Sequence, residues 1–167
     1  MRKYLLLILI LAGYLNTFAQ TATNTIVVDR NGTGHFRNIQ QAIDSVRAFN
    51  PTGTVTIYIK NGVYKEKLEI PTHICNVHFI GEDKFKTIIN YDDHANIKLA
   101  GNNKPMGTFR TYTVKIEGND IIFKNITVEN NAARLGQAVA IHTEGDRLVF
   151  INCRFLGNQD TVYTGIA

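Results

Sequence analysis

Residues 117–128 read EGNDIIFKNITV, and residues 144–155 read EGDRLVFINCRF. Gly118 aligns with Gly145, Phe123 with Phe150, Asn125 with Asn152 and Val128 with the apolar Phe155, at a constant offset of 27 residues. A repeat of that length marks a solenoid, in which each coil buries its apolar face on the next. Short β-branched segments without tight hairpins between the repeated units favour parallel stacking over a meander. The fold class is therefore read as all-β, a right-handed parallel β-helix. Phe123 and Phe150 are expected to point inward and stack along its axis. Asn125 and Asn152 are expected at the same bend of successive coils, their amides serving the turn backbone.

Outward from the repeat, the same strand-and-turn pattern covers most of the chain. Strands are expected at 25–29, 54–60, 67–70, 77–80, 87–90, 111–117, 121–124, 127–129, 138–143 and 148–151. Asn61-Gly62 reads as a turn, and the polar stretch 96–107 as a loop. One segment breaks the pattern. Ile39, Ala42, Ile43, Val46 and Phe49 recur at helical spacing, Asn38 is placed to cap the helix, and Pro51 and Gly53 end it. An open solenoid end exposes apolar core and unpaired backbone, and this helix is placed to cap the N-terminal one. The pattern stops at Thr164-Gly165-Ile166-Ala167 with no second cap, so the β-helix is expected to be truncated at its C-terminal end.

The first residues lie outside that core. Arg2 and Lys3, the apolar run from Leu5 to Leu11 and the small-residue site Thr17-Phe18-Ala19 have the layout of a secretory signal cut after Ala19. The apolar run is too short to span ~30 Å of hydrocarbon. Residues 1–19 are thus assigned to the signal and 20–167 to the N-terminal portion of one β-helix domain, exported and free of the membrane. Loss of Arg2 and Lys3 takes Lys+Arg from 18 to 16 against 14 acids, so net charge falls from +4 to +2. The remaining cations are scattered singly, which argues against nucleic acid as a partner. Cys75 and Cys153 form no metal motif; export permits a disulfide, but Cys153 in its strand reads as a small buried hydrophobe.

No Gly-x-Ser-x-Gly motif is present, and no pair of His35, His73, His78, His94 and His142 has metal-ligand spacing with supporting carboxylates. Each histidine reads as a surface or satisfied core residue. A different group carries chemistry. Gln137 and Gln159 lie 22 residues apart, about one coil, so they are expected on neighbouring coils and the same side. Each amide offers two donors, and two converging amides can hold a developing oxyanion. Asp160 adds a carboxyl group able to give and take a proton. A polar outer face with turn residues explains the same residues without chemistry.

Gly62-x-Tyr64-x-Glu66, Gln137-Ala-Val-Ala-Ile141 and Gln159-Asp-Thr-Val-Tyr163 resemble three signature segments of the pectin methylesterases, in that family's order and with its Gln–Gln spacing. The opening Asp29-x-x-Gly32-x-Gly34-x-Phe36-x-x-Ile39-Gln40 is similar too, and the loop-poor form looks more bacterial than plant. The resemblance implies hydrolysis of galacturonate methyl esters in pectin, giving methanol and a carboxylate, with no cofactor and no metal. It implies Asp160 as general acid and base, Gln159 as the oxyanion stabiliser, and Gln137 as a partner to oxyanion and substrate. Thr108, in Gly-Thr-Phe, matches a substrate-contacting residue. Gly62, Tyr64 and Glu66 read as structural: a turn, a packed ring and a paired acid.

In the family a second Asp attacks the ester carbonyl, and its anion beside Asp160 keeps one carboxyl group protonated. That nucleophile belongs to an Asp-Phe-Ile-Phe-Gly segment about one coil beyond Tyr163, and an Arg that orients it to a later Leu-Gly-Arg-Pro-Trp segment. Neither occurs in these 167 residues, so this stretch alone is expected to be inactive and the full-length protein to be the esterase, acting on pectin as a monomer. Two alternatives stay open: a β-helical pectate lyase or polygalacturonase, and a non-catalytic pectin-binding module. A lyase would want clustered acids for Ca²⁺, and the sequence has none.

Overall fold

A computed structural model describes residues 24–50, 53–101 and 103–165. The signal assigned to residues 1–19 lies outside them. Thirteen strands and one short α-helix follow in the order β1 (Asn24–Val28), α1 (Ile39–Asp44), β2 (Val55–Ile59), β3 (Gly62–Lys65), β4 (Leu68–Ile70), β5 (Val77–Gly81) and β6 (Thr87–Tyr91). Then come β7 (Val114–Ile116), β8 (Ile121–Lys124), β9 (Thr127–Asn130), β10 (Ile141–Thr143), β11 (Val149–Ile151), β12 (Arg154–Leu156) and β13 (Val162–Thr164).

The strands form three parallel sheets, here named A, B and C. Sheet A has the order β1-β2-β5-β8-β11, sheet B β12-β9-β6-β3, and sheet C β13-β10-β7-β4. Each coil contributes one strand to each sheet in turn, which is a parallel β-helix. Pairing between β8 and β11 runs Ile122↔Val149 and Phe123↔Phe150, the 27-residue offset of the repeat. Phe79, Phe123 and Phe150 stack down the interior, with centroids 4.6 Å and 5.9 Å apart. Ile57, Ile59, Leu68, Ile89, Ile116, Ile121 and Val128 fill the space around them, all at most 1% exposed. Full burial of such a side chain contributes roughly 1.5–3 kcal/mol, so this axial stack is the main source of cohesion.

The repeated small residues have steric causes. A side chain at Gly145 would place its Cβ 2.0 Å from the carbonyl oxygen of Gly118, so stacked coils leave no room for one. Asn125 and Asn152 both adopt left-handed backbone, with φ of 57° and 53°, a conformation Asn tolerates better than most residues. The Asn152 amide donates to the Asn125 Oδ1 at 2.8 Å. The two side chains thus bond to one another along the stack rather than to the turn backbone that the sequence suggested.

Three other expectations need correction. The helix stops at Asp44, and Phe49 is exposed with φ of 48° rather than packed on a helical face. Asn38 makes no side-chain cap. Instead Glu66 reaches over from the end of β3, and its two carboxylate oxygens accept the backbone N–H groups of Ile39 and Gln40, each at 3.0 Å. A bidentate anion satisfies two orphan donors at once and suits the positive end of the helix, so it displaces the weaker Asn cap. Gly62 opens strand β3 rather than sitting inside a turn. Ile39, Ala42 and Ile43 bury α1 against the first coil, and Gln40 docks it by exchanging hydrogen bonds with the Glu69 backbone.

Tyr64 is the packed ring expected, 3% exposed, with its hydroxyl donating to the Lys60 carbonyl at 2.9 Å. Cys75 and Cys153 carry free thiols. Burial pushes the Cys153 thiol upward in pKa, as for an inert apolar filler.

Candidate functional site

Four connections run from sheet B to sheet C; the first is only residues 66–67, and the other three span 92–113, 131–140 and 157–161. They lie against one another because the strands they join are stacked. Ala95 N donates to Gln137 O at 2.9 Å, Ala138 N to Gln159 O at 3.1 Å, and Ala140 N to Thr161 O at 2.9 Å. The backbones at Gln137 and Gln159 therefore sit on neighbouring coils in direct hydrogen-bonded contact. Farther along, β10 pairs with β13 at Ile141↔Val162, an offset of 21 residues. This coil is shorter than the 27-residue one because its B-to-C connection has only five residues.

Asp160 occupies the last of these corners. Its φ of 57° is a left-handed conformation that Asp accepts better than most residues. Exposed to solvent, it lines a concavity of about 350 Å³ with Thr108, Phe109, Val139, Val162 and Tyr163. Thr108 and Asp160, predicted from distant parts of the sequence, thus share one site. Asp160 is the one carboxylate among the described residues lining it. Gln159 is also exposed, but lines a separate concavity of about 290 Å³ with Arg134, Gly136 and Asn158. Gln137 is half-buried and lines neither of these two. The fold joins the glutamines through their backbones, while Gln159 and Asp160 line different hollows.

The support behind the site was not legible in advance. Asn130, 1% exposed at the end of β9, directs its amide nitrogen to three carbonyls: Asp93 and Thr111 at 2.9 Å, and Val139 at 3.1 Å. Its Oδ1 accepts the Ala132 N–H at 3.0 Å. Thr111, fully buried, accepts the Val139 N–H on its hydroxyl at 2.9 Å and donates to the Thr108 carbonyl at 2.7 Å. Two polar side chains thus fasten the connection bearing Thr108 to the connection that bears Val139.

An aromatic cluster flanks the same concavity. The Phe109 and Tyr163 rings meet edge to face at 5.0 Å, and Phe109 is 59% exposed. Beneath them lies His142, 3% exposed, 4.6 Å from the Tyr163 ring and 6.0 Å from that of Tyr112. Burial, reinforced by its hydrogen bond to Glu69, drives the Tyr112 phenol far above its usual pKa, so Tyr112 stays neutral. The reading of every histidine as a surface or satisfied residue fails at two positions. His94 Nδ1 and both ring nitrogens of His142 are buried without a hydrogen-bond partner. His142 Nε2 stands 2.9 Å from a Glu144 oxygen, yet off the direction a hydrogen bond requires. Sequence spacing gave no sign of this, because the enclosing rings come from two segments far from His142 in the chain, one with Phe109 and Tyr112 and one with Tyr163. No group of three or more His, Cys, Asp or Glu side chains among the described residues is arranged to hold a metal ion.

The family model described as Pectinesterase matches residues 25–167. The chain is 41% identical over 140 residues to a pectinesterase/pectinesterase inhibitor of Brassica campestris, covering 83% of this chain and 24% of that protein. The pectin methylesterase PemA from Erwinia chrysanthemi superimposes with a TM-score of 0.75 at 29% identity, covering 84% of this chain and 45% of that one. A pectin methylesterase solved in complex with a hexasaccharide gives a TM-score of 0.74 at 29% identity, covering 83% and 45%. The chain therefore spans about a quarter of the length of that curated relative and under half of those solved structures. Plant and bacterial proteins both appear among these matches, so the bacterial form inferred from loop length is no more than one of two.

Proposed function

The chain belongs to the pectinesterase family, and from that premise we propose that the protein it represents hydrolyses galacturonate methyl esters in pectin, releasing methanol and leaving pectate. The observation that carries this reading is the shared concavity of Thr108, Asp160 and Tyr163, set on the backbone stack of Gln137 and Gln159. The solved relative in complex with a hexasaccharide adds that this fold accommodates a sugar chain.

Asp160 gives a proton to the departing methoxide and takes one from the water that later attacks the acyl-enzyme. An exposed corner carboxyl group is well placed to exchange that proton with solvent. Gln159 and Gln137 supply N–H donors to the tetrahedral oxyanion. In the structure Gln159 faces the neighbouring hollow, so its amide must turn towards Asp160 when substrate binds. Thr108 contacts the sugar, and the exposed Phe109 ring with Tyr163 offers an apolar wall to a pyranose face. The attacking carboxylate falls to the coil that follows Tyr163 in the family, so residues 1–167 alone bring about no turnover. No cofactor takes part. The protein is exported on the signal at residues 1–19 and acts as a monomer on its polymeric substrate.

The test is methanol release from methyl-esterified pectin by the full-length protein, with chelator present to separate esterase from calcium-dependent lyase action. Asp160→Asn is expected to abolish turnover. Gln159→Ala is expected to lower kcat by about a hundred- to a thousandfold, the cost of one oxyanion donor. Chain scission without methanol release would overturn the assignment.

A further inference from the structure

His142 takes no part in the reaction above, yet it is the most deeply buried ionisable side chain beside the site, with 4% of its side chain exposed. On the outward row of sheet C it lies between Lys115 of β7 and Tyr163 of β13. Its ring touches all three aromatic side chains there: Tyr163 at 4.6 Å and nearly perpendicular, Tyr112 at 6.0 Å, and Phe109 at 6.3 Å. Two of these, Phe109 and Tyr163, are walls of the concavity that holds Asp160. Both are largely or partly open to solvent, so neither is fixed by burial of its own. Among the described residues, β13 has a strand neighbour on one side only, and His142 is the residue opposite Tyr163 there.

The polar surroundings explain how the imidazole is held in place. Glu144 stands 2.9 Å from Nε2, and Lys115 lies 3.6 Å from the same carboxylate while also bonding to Glu117. The charges of Glu117, Lys115 and Glu144 thus bracket the ring on its solvent side, and Tyr112, tied to Glu69, closes it on the other. Burying a ring whose Nδ1 finds no hydrogen-bond partner, and whose Nε2 meets only the Glu144 carboxylate, is unfavourable, so some gain must offset that cost. The aromatic contacts are the gain that this geometry offers.

We propose that His142 is a positioning residue for substrate, a buried platform that sets the pose of Tyr163 and Phe109 over Asp160. This rests on the esterase reading of that concavity. His142 touches neither the ester nor the reacting oxygen, so it governs how well the sugar chain is held rather than how fast the bond breaks.

The experiment uses the full-length protein and methyl-esterified pectin, measuring KM and kcat separately. His142→Ala is expected to raise KM about tenfold, the worth of a lost aromatic contact, with kcat within about twofold. His142→Phe keeps the ring packing and is expected to restore KM, which also guards against a folding failure of the alanine variant. In a Tyr163→Ala background, His142→Ala is expected to have little further effect, since the two act through one contact. Fully additive losses, an unchanged KM in His142→Ala, or no rescue by His142→Phe would each overturn the role of His142 while leaving the esterase intact. Absence of methanol release by the unsubstituted protein would instead overturn the esterase reading itself.

Discussion

Replacing Asn130 by alanine tests whether one buried amide holds the site together. Its two N–H protons are shared among three carbonyls, those of Asp93 and Thr111 at the two ends of one connection and of Val139 in the next, and its oxygen takes the Ala132 N–H. Two donated protons and one accepted bond make three net hydrogen bonds, each contributing about 1 kcal/mol. Val139 O keeps a second donor in Thr113 N, which limits the damage there. The Ala132 N–H and the Asp93 and Thr111 carbonyls lose what Asn130 supplied, and the methyl group leaves too little space for ordered water. The expected loss is about 3 kcal/mol, roughly a hundredfold in the folding equilibrium. Urea titration followed by far-UV circular dichroism measures it as a lower midpoint at unchanged slope. Asn130→Asp makes the point sharper. It has the same shape but presents acceptors to three acceptors, so it is expected to be at least as damaging as alanine at neutral pH. A loss below about 0.5 kcal/mol for Asn130→Ala, the scale of a surface change, would refute the clamp.

Glu66→Ala removes both acceptors from the start of α1 and is expected to cost about 1–2 kcal/mol by the same titration, whereas Asn38→Ala is expected to be nearly silent. Gly145→Ala would drive a methyl group into the Gly118 carbonyl and is expected to abolish recovery of folded protein, read by yield and protease resistance. The Thr33 hydroxyl, the Asn31 N–H and Lys60 hold the Asp29 carboxyl below the usual carboxylate range. A depressed folded pKa gives stability that is present above the unfolded value near ~4 and lost as pH falls through the folded one. Asp29→Asn is therefore expected to be less stable at neutral pH, with the gap to the unsubstituted protein closing below about pH 4 in thermal melts.

The coil was readable because a solenoid writes its packing into the chain at one period. Gly118 and Gly145, Phe123 and Phe150, and Asn125 and Asn152 recur because one steric problem recurs on each turn. The opening motif was readable for a related reason, since each of its residues meets a separate local demand. Asp29 clamps the following loop, Gly34 passes a backbone carbonyl too closely for a side chain, and Ile39 and Gln40 bury and dock the helix. Strands β3, β12 and β13, of three or four residues each, went unassigned. The cap by Glu66 was hidden because it bridges 27 positions.

The site divides along the same line. Gln137, Gln159 and Asp160 could be placed on adjoining coils by counting, because parallel neighbours lie ~4.8 Å apart and one coil of sequence returns the chain to the same side. Counting cannot say which way a corner residue points. That depends on single backbone angles such as the φ of 57° at Asp160, and Asp160 lines one concavity with Thr108 while Gln159 lines another with Arg134. Nor can it find Asn130, Thr111 or His142, whose partners lie anywhere from 2 to 37 residues away with no fixed spacing. A repetitive coil can bring polar groups side by side at no special cost. Holding them in one pose needs contacts that break the repeat, and in this protein those contacts are the buried amide, hydroxyl and imidazole behind the concavity.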